Sequence, residues 1–219
     1  MNKLALFDCD GTLVDSGATI HRALAESFAR NGLHCPPPAE ARRVIGLSLT
    51  EAMAALLPAL KPEDHARMAE EYKKSFIALR AAGEVEEPLY EGIAELLDAL
   101  EERGWLLGVA TGKSDRGLGH CLDCHGIVER FVTLQTADRH PSKPHPSMVV
   151  QAMADAGAAP ETTVVIGDTS FDMMMAAAAG ARGIGVDWGY HHREELIEAG
   201  AFAVAERPAD VLQLMEGSR

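Results

Sequence analysis

The chain has 219 residues, of which 47% are hydrophobic and 24% charged, and its formal net charge is −13. This length is sufficient for one or two domains with a substantial buried core. The acidic balance argues against nucleic acid and anionic membrane surfaces as partners, because both are bound through clustered cations.

The N-terminal segment predicts a cytoplasmic protein. Met1 to Asp10 contains one lysine, a short apolar run and then acids, without the long apolar stretch of a secretory signal. No apolar run approaches the roughly 20 residues that span a bilayer. We therefore expect no membrane partner, reduced cysteines, and a chain that is a monomer or a homodimer.

The first predicted strand is Lys3 to Asp8, an apolar run that ends in acids and Gly11. No convincing strand follows until after Pro88. The intervening helical segments are Arg22 to Asn31, Ala39 to Val44, Ser48 to Leu57 and Pro62 to Ala82. We therefore predict a helical cap domain of residues 16–88, inserted into a core domain of residues 1–15 and 89–219 and joined to it by a return linker, Glu84 to Pro88.

After the cap, strands and helices alternate. The predicted strands are Trp105 to Thr111, Phe131 to Leu134, Thr162 to Asp168 and Arg182 to Asp187, and the predicted helices are Gly92 to Arg103, Asp115 to His125, Ser147 to Ala156 and Phe171 to Ala179. This alternation predicts βαβ units. The expected fold is an α/β, three-layer Rossmann-like core with a parallel sheet and an inserted α-helical cap.

Three predicted strands end in residues suited to phosphate chemistry: Asp8 with Asp10, Thr111, and Asp168. The carboxyl ends of parallel strands meet at one edge of the sheet, where open α/β folds bind their ligands. Asp8 and Asp10 alone would also be compatible with a turn or the start of a calcium loop. Their combination with the other strand ends points instead to one shared crevice.

Four spaced motifs resemble those of the haloacid dehalogenase superfamily of hydrolases. They are DCDGTLVDS from Asp8, TGK from Thr111, KP from Lys143 and GDTSFD from Gly167. The resemblance covers nearly the whole chain and extends to the helical cap, which is similar to that of the phosphoglycolate phosphatase-like and β-phosphoglucomutase-like members.

This resemblance implies a Mg²⁺-dependent phosphatase with two catalytic carboxylates. Asp8 is expected to be the nucleophile that forms an aspartyl-phosphate. Asp10 is expected to protonate the leaving oxygen and then to deprotonate the hydrolytic water. The expected metal ligands are the carboxylates of Asp8 and Asp168 and the backbone carbonyl of Asp10.

The resemblance also assigns residues to the phosphoryl group. Thr111, the backbone N–H of Gly112 and Lys143 are expected to bind its oxygens. Many relatives carry Asn where this chain has Gly112, so the contact of that side chain is absent here. Asp172 is expected to orient Lys143 or a metal-bound water; alternatively, it is a helix N-terminal acid favoured by the macrodipole.

Arg43 is the candidate for substrate selection in the cap. Arg42 to Ser48 resembles the specificity segment of the same subgroup, so Arg43 is expected either to hold a substrate carboxylate through a bidentate contact or to be an exposed helix charge. The sequence also contains Cys121-x-x-Cys124-His125, the spacing of covalent haem attachment. We interpret this segment as an ordinary core helix with buried cysteines.

The predicted partner is a small phosphorylated metabolite. The acid at position 10 favours phosphate esters, since relatives that cleave carbon–halogen or carbon–phosphorus bonds lack it, and phosphoglycolate is the substrate we expect. A phosphosugar mutase of the β-phosphoglucomutase type and an inorganic pyrophosphatase are alternatives with the same residues. A phosphate-ester-sensing binding module without turnover is the alternative outside enzymes.

Overall fold

A computed structural model describes residues 1–217 as a six-stranded sheet surrounded by helices. The strands are β1 (Asn2–Phe7), β2 (Trp105–Thr111), β3 (Phe131–Thr136), β4 (Ala158–Gly167), β5 (Arg182–Val186) and β6 (Ala203–Ala205). The helices are α1 (Gly17–Arg30), α2 (Pro38–Arg42), α3 (Leu49–Leu56), α4 (Pro62–Ala81), α5 (Ile93–Glu102), α6 (Asp115–Cys124), α7 (Ser147–Ala156), α8 (Ser170–Ala178), α9 (Arg193–Glu198) and α10 (Pro208–Glu216). None of the helices in this part of the chain has the length and hydropathy needed to cross a membrane.

The sheet is parallel, with the strand order β3-β2-β1-β4-β5-β6. The chain builds one half of the sheet outward from β1, then returns to the other side of β1 with β4. The point where the direction reverses lies between β1 and β4, and crevices at such switch points are where doubly wound sheets bind ligands. Asp8 and Asp168 directly follow these two strands.

Helices cover both faces of the sheet, which explains the nearly continuous apolar runs of its central strands. Successive side chains of β1 point to opposite faces. Ala5 and Phe7 pack in a cluster with α5, α6 and α10, whereas Leu4 and Leu6 pack with α7 and α8. The core is therefore three-layered, and the predicted fold class is confirmed.

Helices α1 to α4 lie between β1 and β2 and have a hydrophobic cluster of their own, which includes Phe28, Met53 and Met68. The chain leaves and re-enters the core at adjacent points. Val14 pairs with Leu89 in an antiparallel bridge, and the N–H of Asp15 donates to the carbonyl of Pro88 at 2.9 Å. All four helices fall within the range 16–88 that the sequence predicts for the cap.

The largest difference from the predicted elements lies at the C-terminal end, where β6, α9 and α10 are present and no element was predicted. These elements are short, three, six and nine residues, so they carry little periodicity. In addition, α1 begins five residues before the predicted helix, β3 ends two residues later than expected, and β4 begins four residues earlier.

Candidate active site

Asp8 lies at the end of β1 and is almost completely buried, with 1% of its surface exposed. Its N–H donates to the carbonyl of Ile166 in β4 at 2.8 Å, which fixes the backbone at the switch point. Its Oδ1 accepts from the N–H of Cys9 at 2.6 Å and lies 3.0 Å from Nζ of Lys143. Its Oδ2 is buried and has no hydrogen-bond partner within residues 1–217. Such an oxygen is available to a ligand or to a reacting group, because an unsatisfied charged acceptor in the interior is costly.

Asp168 lies at the end of β4 and is fully buried. Its Oδ1 accepts from the hydroxyl of Thr12 at 2.9 Å, and its Oδ2 accepts from the N–H of Tyr190 at 3.0 Å. The turn after β1 reaches this carboxylate only because residue 11 is glycine. Gly11 has a φ of +83°, and a Cβ at this position would overlap the Asp168 carboxylate and the Tyr190 ring.

Asp172 and Lys143 form a buried ion pair behind these carboxylates. Nζ of Lys143 lies 2.6 Å from Oδ1 of Asp172, and both side chains are completely inaccessible. The Oδ2 of Asp172 accepts from the N–H and the hydroxyl of Thr169, at 3.1 and 2.6 Å, in a capping box at the start of α8. Asp172 is therefore both a helix-capping acid and the partner of Lys143.

Three carboxylates and one ammonium group leave this buried cluster with an excess of negative charge. Burial, followed by the charges of its neighbours, raises the pKa of Asp8 to about 7 even though Lys143 opposes the shift. Burial and the charges of Asp8 and Asp172 likewise raise the pKa of Asp168 well above its usual value. A cation at this position would offset the repulsion.

The donor set fits a hard divalent cation. One carboxylate oxygen from each of Asp8, Asp168 and Asp172 lies within 4.8 Å of the other two. All three supply carboxylate oxygens, the type of ligand that Mg²⁺ requires.

Asp10 lies beside this cluster and is held by two groups. Its Oδ1 accepts from the hydroxyl of Ser16 and lies 2.9 Å from Nζ of Lys113. Lys113 also contacts Oε1 of Glu87 at 2.6 Å. Burial opposes the charge of Lys113, but the adjacent carboxylates of Asp10 and Glu87 raise its pKa well above the usual value. The Asp10 carboxylate is thus fixed in position between a hydroxyl and a permanent cation.

Thr111 and Gly112 lie at the end of β2, next to β1 in the sheet. The Thr111 hydroxyl accepts from the N–H of Lys113 at 3.2 Å. A Cβ at position 112 would lie only 2.5 Å from the carbonyl oxygen of Leu47 and 2.8 Å from that of Gly46, both in the cap. The cap backbone therefore occupies the space that a side chain at position 112 would need.

Comparison with known proteins identifies the family of this chain. The family model described as haloacid dehalogenase-like hydrolase matches residues 5–186, a range that contains every strand-end residue described above. The chain belongs to the haloacid dehalogenase-like hydrolase family.

Within this family, the chain is 34% identical to a probable phosphatase, IndB, of Dickeya dadantii, with 97% of this chain and 93% of the relative covered. It is 27% identical to a phosphoglycolate phosphatase of Nitrosococcus oceani, with 97% and 96% covered. A solved haloacid dehalogenase-like hydrolase of Streptococcus pneumoniae superposes with a TM-score of 0.85 at 26% identity, covering 98% of this chain and 99% of the other. The predicted family and the predicted enzyme class, a phosphatase, are confirmed.

Arg43 of this hydrolase lies at the end of α2, and the structure pairs it with the core. Its guanidinium group contacts both carboxylate oxygens of Glu195, at 2.9 and 2.5 Å. Its carbonyl oxygen lies 3.2 Å from Nε2 of His191. The bidentate contact expected for a substrate carboxylate is therefore made to a protein carboxylate, and Arg43 joins the cap to the core.

Several residues that support the site are not among the predicted site residues. Lys113 is one of them, although it belongs to the TGK motif. Tyr190 and His191 follow β5 in a loop that contacts Asp168 and the cap. Two aromatic residues and two histidines within Trp188 to His192 are unusual in a chain with 5% aromatic residues. That local enrichment is the signal that could have identified the loop.

The cysteine and histidine segment does not form a ligand cluster. Cys121 is buried in the core, 3.9 Å from the sulfur of Cys9, whereas Cys124 is exposed. Nε2 of His125 lies 2.8 Å from the carbonyl of Glu87 in the return linker. The three side chains thus have separate surroundings, as in an ordinary core helix. The expected burial holds for Cys121 and is wrong for Cys124, which lies on the solvent-facing side of α6.

Proposed function

We propose that this hydrolase cleaves phosphate monoesters through an aspartyl-phosphate on Asp8, with Mg²⁺ as cofactor. The observation that carries the proposal is Oδ2 of Asp8, a buried carboxylate oxygen with no protein partner in a cluster where Oδ1 is already bonded to Lys143. The free oxygen is suited to attack, and the bonded oxygen fixes the direction in which it points.

Asp8, Asp168 and the backbone carbonyl of Asp10 would hold the metal ion. Bound there, Mg²⁺ shields the phosphate anion from the nucleophile and stabilises the charge that develops during transfer. Burial and the neighbouring carboxylates raise the pKa of Asp8, and a cation held at this position would favour the ionised form of the carboxyl group.

In the first step, the carboxylate of Asp8 forms a bond to phosphorus while the bond between phosphorus and the leaving oxygen breaks. Asp10 donates a proton to that oxygen, which leaves as an alcohol. In the second step, Asp10 removes a proton from a water molecule, which attacks phosphorus and releases Asp8 and inorganic phosphate. Ser16 and Lys113 orient the Asp10 carboxylate for both proton transfers.

The remaining predicted residues would stabilise the phosphoryl group. The hydroxyl of Thr111 and the N–H of Gly112 would donate hydrogen bonds to its oxygens. Lys143 supplies a fixed positive charge, and its contact with Asp172 holds the ammonium group in place. Such preorganised groups need no rearrangement during the reaction, which is the main advantage of a buried site.

Phosphoglycolate is the first natural substrate to test, since relatives at 27% and 28% identity are named phosphoglycolate phosphatases. Arg43 could bind the carboxylate of phosphoglycolate only if its ion pair with Glu195 were broken. Two further substrates test the alternative activities. A mutase would convert hexose 1-phosphate into an isomer without releasing phosphate, and a pyrophosphatase would release phosphate from pyrophosphate.

The test is the Asp8→Asn variant, assayed for phosphate release from a phosphate ester with Mg²⁺. We expect activity to fall by about 10⁴-fold or more, as for other covalent nucleophiles. Acid-quenched wild-type enzyme should carry one additional phosphoryl group by mass spectrometry, and the variant should carry none. Turnover by Asp8→Asn at the wild-type rate would exclude the nucleophile assignment.

A further inference from the structure

A cavity of about 490 Å³ lies between the cap and the core, next to the proposed active site. Its size is within the range of pockets that enclose small organic ligands. The core contributes Asp10, Gly112 and Lys113 at one end. The cap contributes most of the wall through apolar side chains of α1, α3 and α4, which include Leu24, Leu49, Met53, Leu56, Phe76 and Ile77.

The cavity begins at the position where the leaving group would depart. Asp10, the proposed proton donor to the leaving oxygen, lines the cavity, whereas Asp8, Asp168 and Lys143 do not. A phosphate ester with its phosphorus beside Asp8 and its leaving oxygen beside Asp10 would therefore extend its organic part into this space.

The cavity is present while the cap lies against the core. Gly46 and Leu47 approach Gly112 closely, and the N–H of Ser48 donates to the hydroxyl of Ser142 at 2.8 Å. With the cap in this position, the apolar space is still accessible from the active site. Apolar ligands bind in cavities with such walls.

The charged groups along the cavity are largely occupied by protein partners. Lys113 contacts Asp10 and Glu87, and Arg80 contacts Glu87 at 3.3 Å. Lys73 contacts Glu70 at 2.8 Å. Arg116 and His120 also line the cavity, and both are exposed to solvent. A carboxylate or several hydroxyls placed against the cap wall would lose their hydration without gaining hydrogen bonds, at a cost for each group.

We infer that the substrate is a phosphate monoester of an apolar alcohol, with an alkyl or aromatic body of about the size of a hexyl or benzyl group. This inference rests on the proposed function and specifies the leaving group of the same reaction. The wall of Leu49, Met53 and Phe76 would bind that body, and Asp10 would protonate its oxygen.

The test compares esters with similar leaving-group reactivity. We expect kcat/KM for n-alkyl phosphates to rise about fourfold for each added methylene from methyl to hexyl, the effect of burying one methylene. Benzyl phosphate should match the longer alkyl esters. Propyl phosphate should exceed phosphoglycolate, which has a similar size but a charged end. Faster hydrolysis of phosphoglycolate than of propyl phosphate, or equal rates along the series, would overturn the inference.

A matched pair of variants tests the cavity wall. Ile77 lines the cavity and is 49% exposed, whereas Ile197 lies outside it and is 54% exposed. We expect Ile77→Ser to lower the hexyl-to-methyl ratio of kcat/KM by about fivefold to tenfold, the effect of removing part of a hydrophobic contact, and Ile197→Ser to leave the ratio unchanged. If both variants had the same hexyl-to-methyl ratio of kcat/KM, Ile77 would not contact the organic part of the substrate and the cavity wall would be wrongly assigned.

A binding measurement separates this inference from the proposed function. Hexylphosphonate and methylphosphonate, which carry no cleavable ester bond, are titrated calorimetrically into the wild-type enzyme with Mg²⁺. Tighter binding of hexylphosphonate supports the substrate class even if no ester is hydrolysed, in which case the phosphatase proposal fails. Equal affinities overturn the substrate class, and hydrolysis of methyl phosphate in the same preparation would leave the phosphatase proposal intact.

Discussion

The crevice at the ends of β1 and β4 and the cavity under the cap are adjacent but differ in almost every physical property. In the crevice, three carboxylates and one ammonium group are nearly inaccessible to water, and all of their charged oxygens except Oδ2 of Asp8 have protein partners. In the cavity, the wall is largely apolar. Asp10 and Gly112 lie at the border between the two.

This difference separates two tasks within one site. A crowded network of charges has one low-energy arrangement, so it suits a reaction whose transition state is always the same phosphoryl group. An apolar wall selects by volume and contact area, so it suits the part of the substrate that varies. Changes in the crevice should therefore affect all substrates, and changes at the cavity should affect the choice among them.

The largest effect that sharpens this comparison is expected at the border residue Asp10. Asp10→Asn should lower kcat for an alkyl phosphate by about 10²–10⁴-fold, the usual contribution of a general acid and base. The loss should be smaller for 4-nitrophenyl phosphate, because its leaving group departs without a proton. Steady-state kinetics with both esters checks this, with the exposed Asp15→Asn as control. Equal losses for both esters would exclude Asp10 as the acid.

Asp168→Asn tests the crevice through stability as well as rate. Removing one of three buried negative charges should raise the melting temperature in the absence of metal, by about 2–4 °C for each kcal/mol of repulsion removed. The same variant should lose about 10²–10³-fold in kcat/KM and the stabilisation by Mg²⁺. Thermal unfolding with and without Mg²⁺ checks both, with exposed Asp123→Asn as control. If Asp168→Asn melted at a lower temperature than the wild type in metal-free buffer, repulsion among the three carboxylates would not be what destabilises the metal-free site.

Gly112→Ala tests the contact between the two regions. The added methyl group would meet the carbonyl of Leu47 at 2.5 Å, so the cap would be displaced from the crevice. We expect kcat/KM to fall by about 10–100-fold, as for a displacement of about 1 Å near reacting groups. The control is Gly119→Ala in α6, where a Cβ meets no atom within 4 Å. Wild-type kinetics for Gly112→Ala would show that catalysis does not depend on the close contact between the cap backbone and position 112.

The smallest effect is expected for the ion pair between Arg43 and Glu195. Both side chains are partly exposed, at 48% and 27%, and such pairs contribute about 0.2–1 kcal/mol. If Arg43 acts only by joining the cap to the core, then Arg43→Gln, Glu195→Gln and the double variant should all change KM by the same factor, less than about fivefold, and added salt should abolish the difference. An increase in the KM for phosphoglycolate that occurs only with Arg43→Gln would instead assign Arg43 to the substrate.

The crevice could be predicted from the sequence because its residues follow strands of one sheet. Asp8, Thr111 and Asp168 each end an apolar run, and parallel strands bring such ends together. The pairing of Lys143 with Asp172 was one of the expectations from the resemblance, but strand positions alone do not give it, since it depends on how the loop before α7 packs against α8. The family resemblance predicted a role for each of these residues. Only the structure shows that Oδ2 of Asp8 has no protein partner.

The cavity could not be predicted, because it is formed by helices whose mutual orientation no local pattern specifies. Phe76 and Ile77 lie on a helix of mostly polar residues, and it is the packing of α4 against α1 and α3 that places them along the cavity. The same limit applies to Arg43. Its sequence context indicated either a substrate contact or an exposed charge, whereas its partner, Glu195, comes from α9, a helix too short to be predicted.

The antiparallel bridge between Val14 and Leu89 holds the two ends of the cap insertion together. The N–H of Tyr90 donates to the carbonyl of Leu13 at 3.0 Å, so the two ends of the insertion are already joined by core residues. Closing the chain across this point requires little additional ordering, whatever lies between the ends. Helices with a different inner wall could thus be grafted at the same junction without moving Asp8 or Asp168, and one catalytic framework would serve many leaving groups.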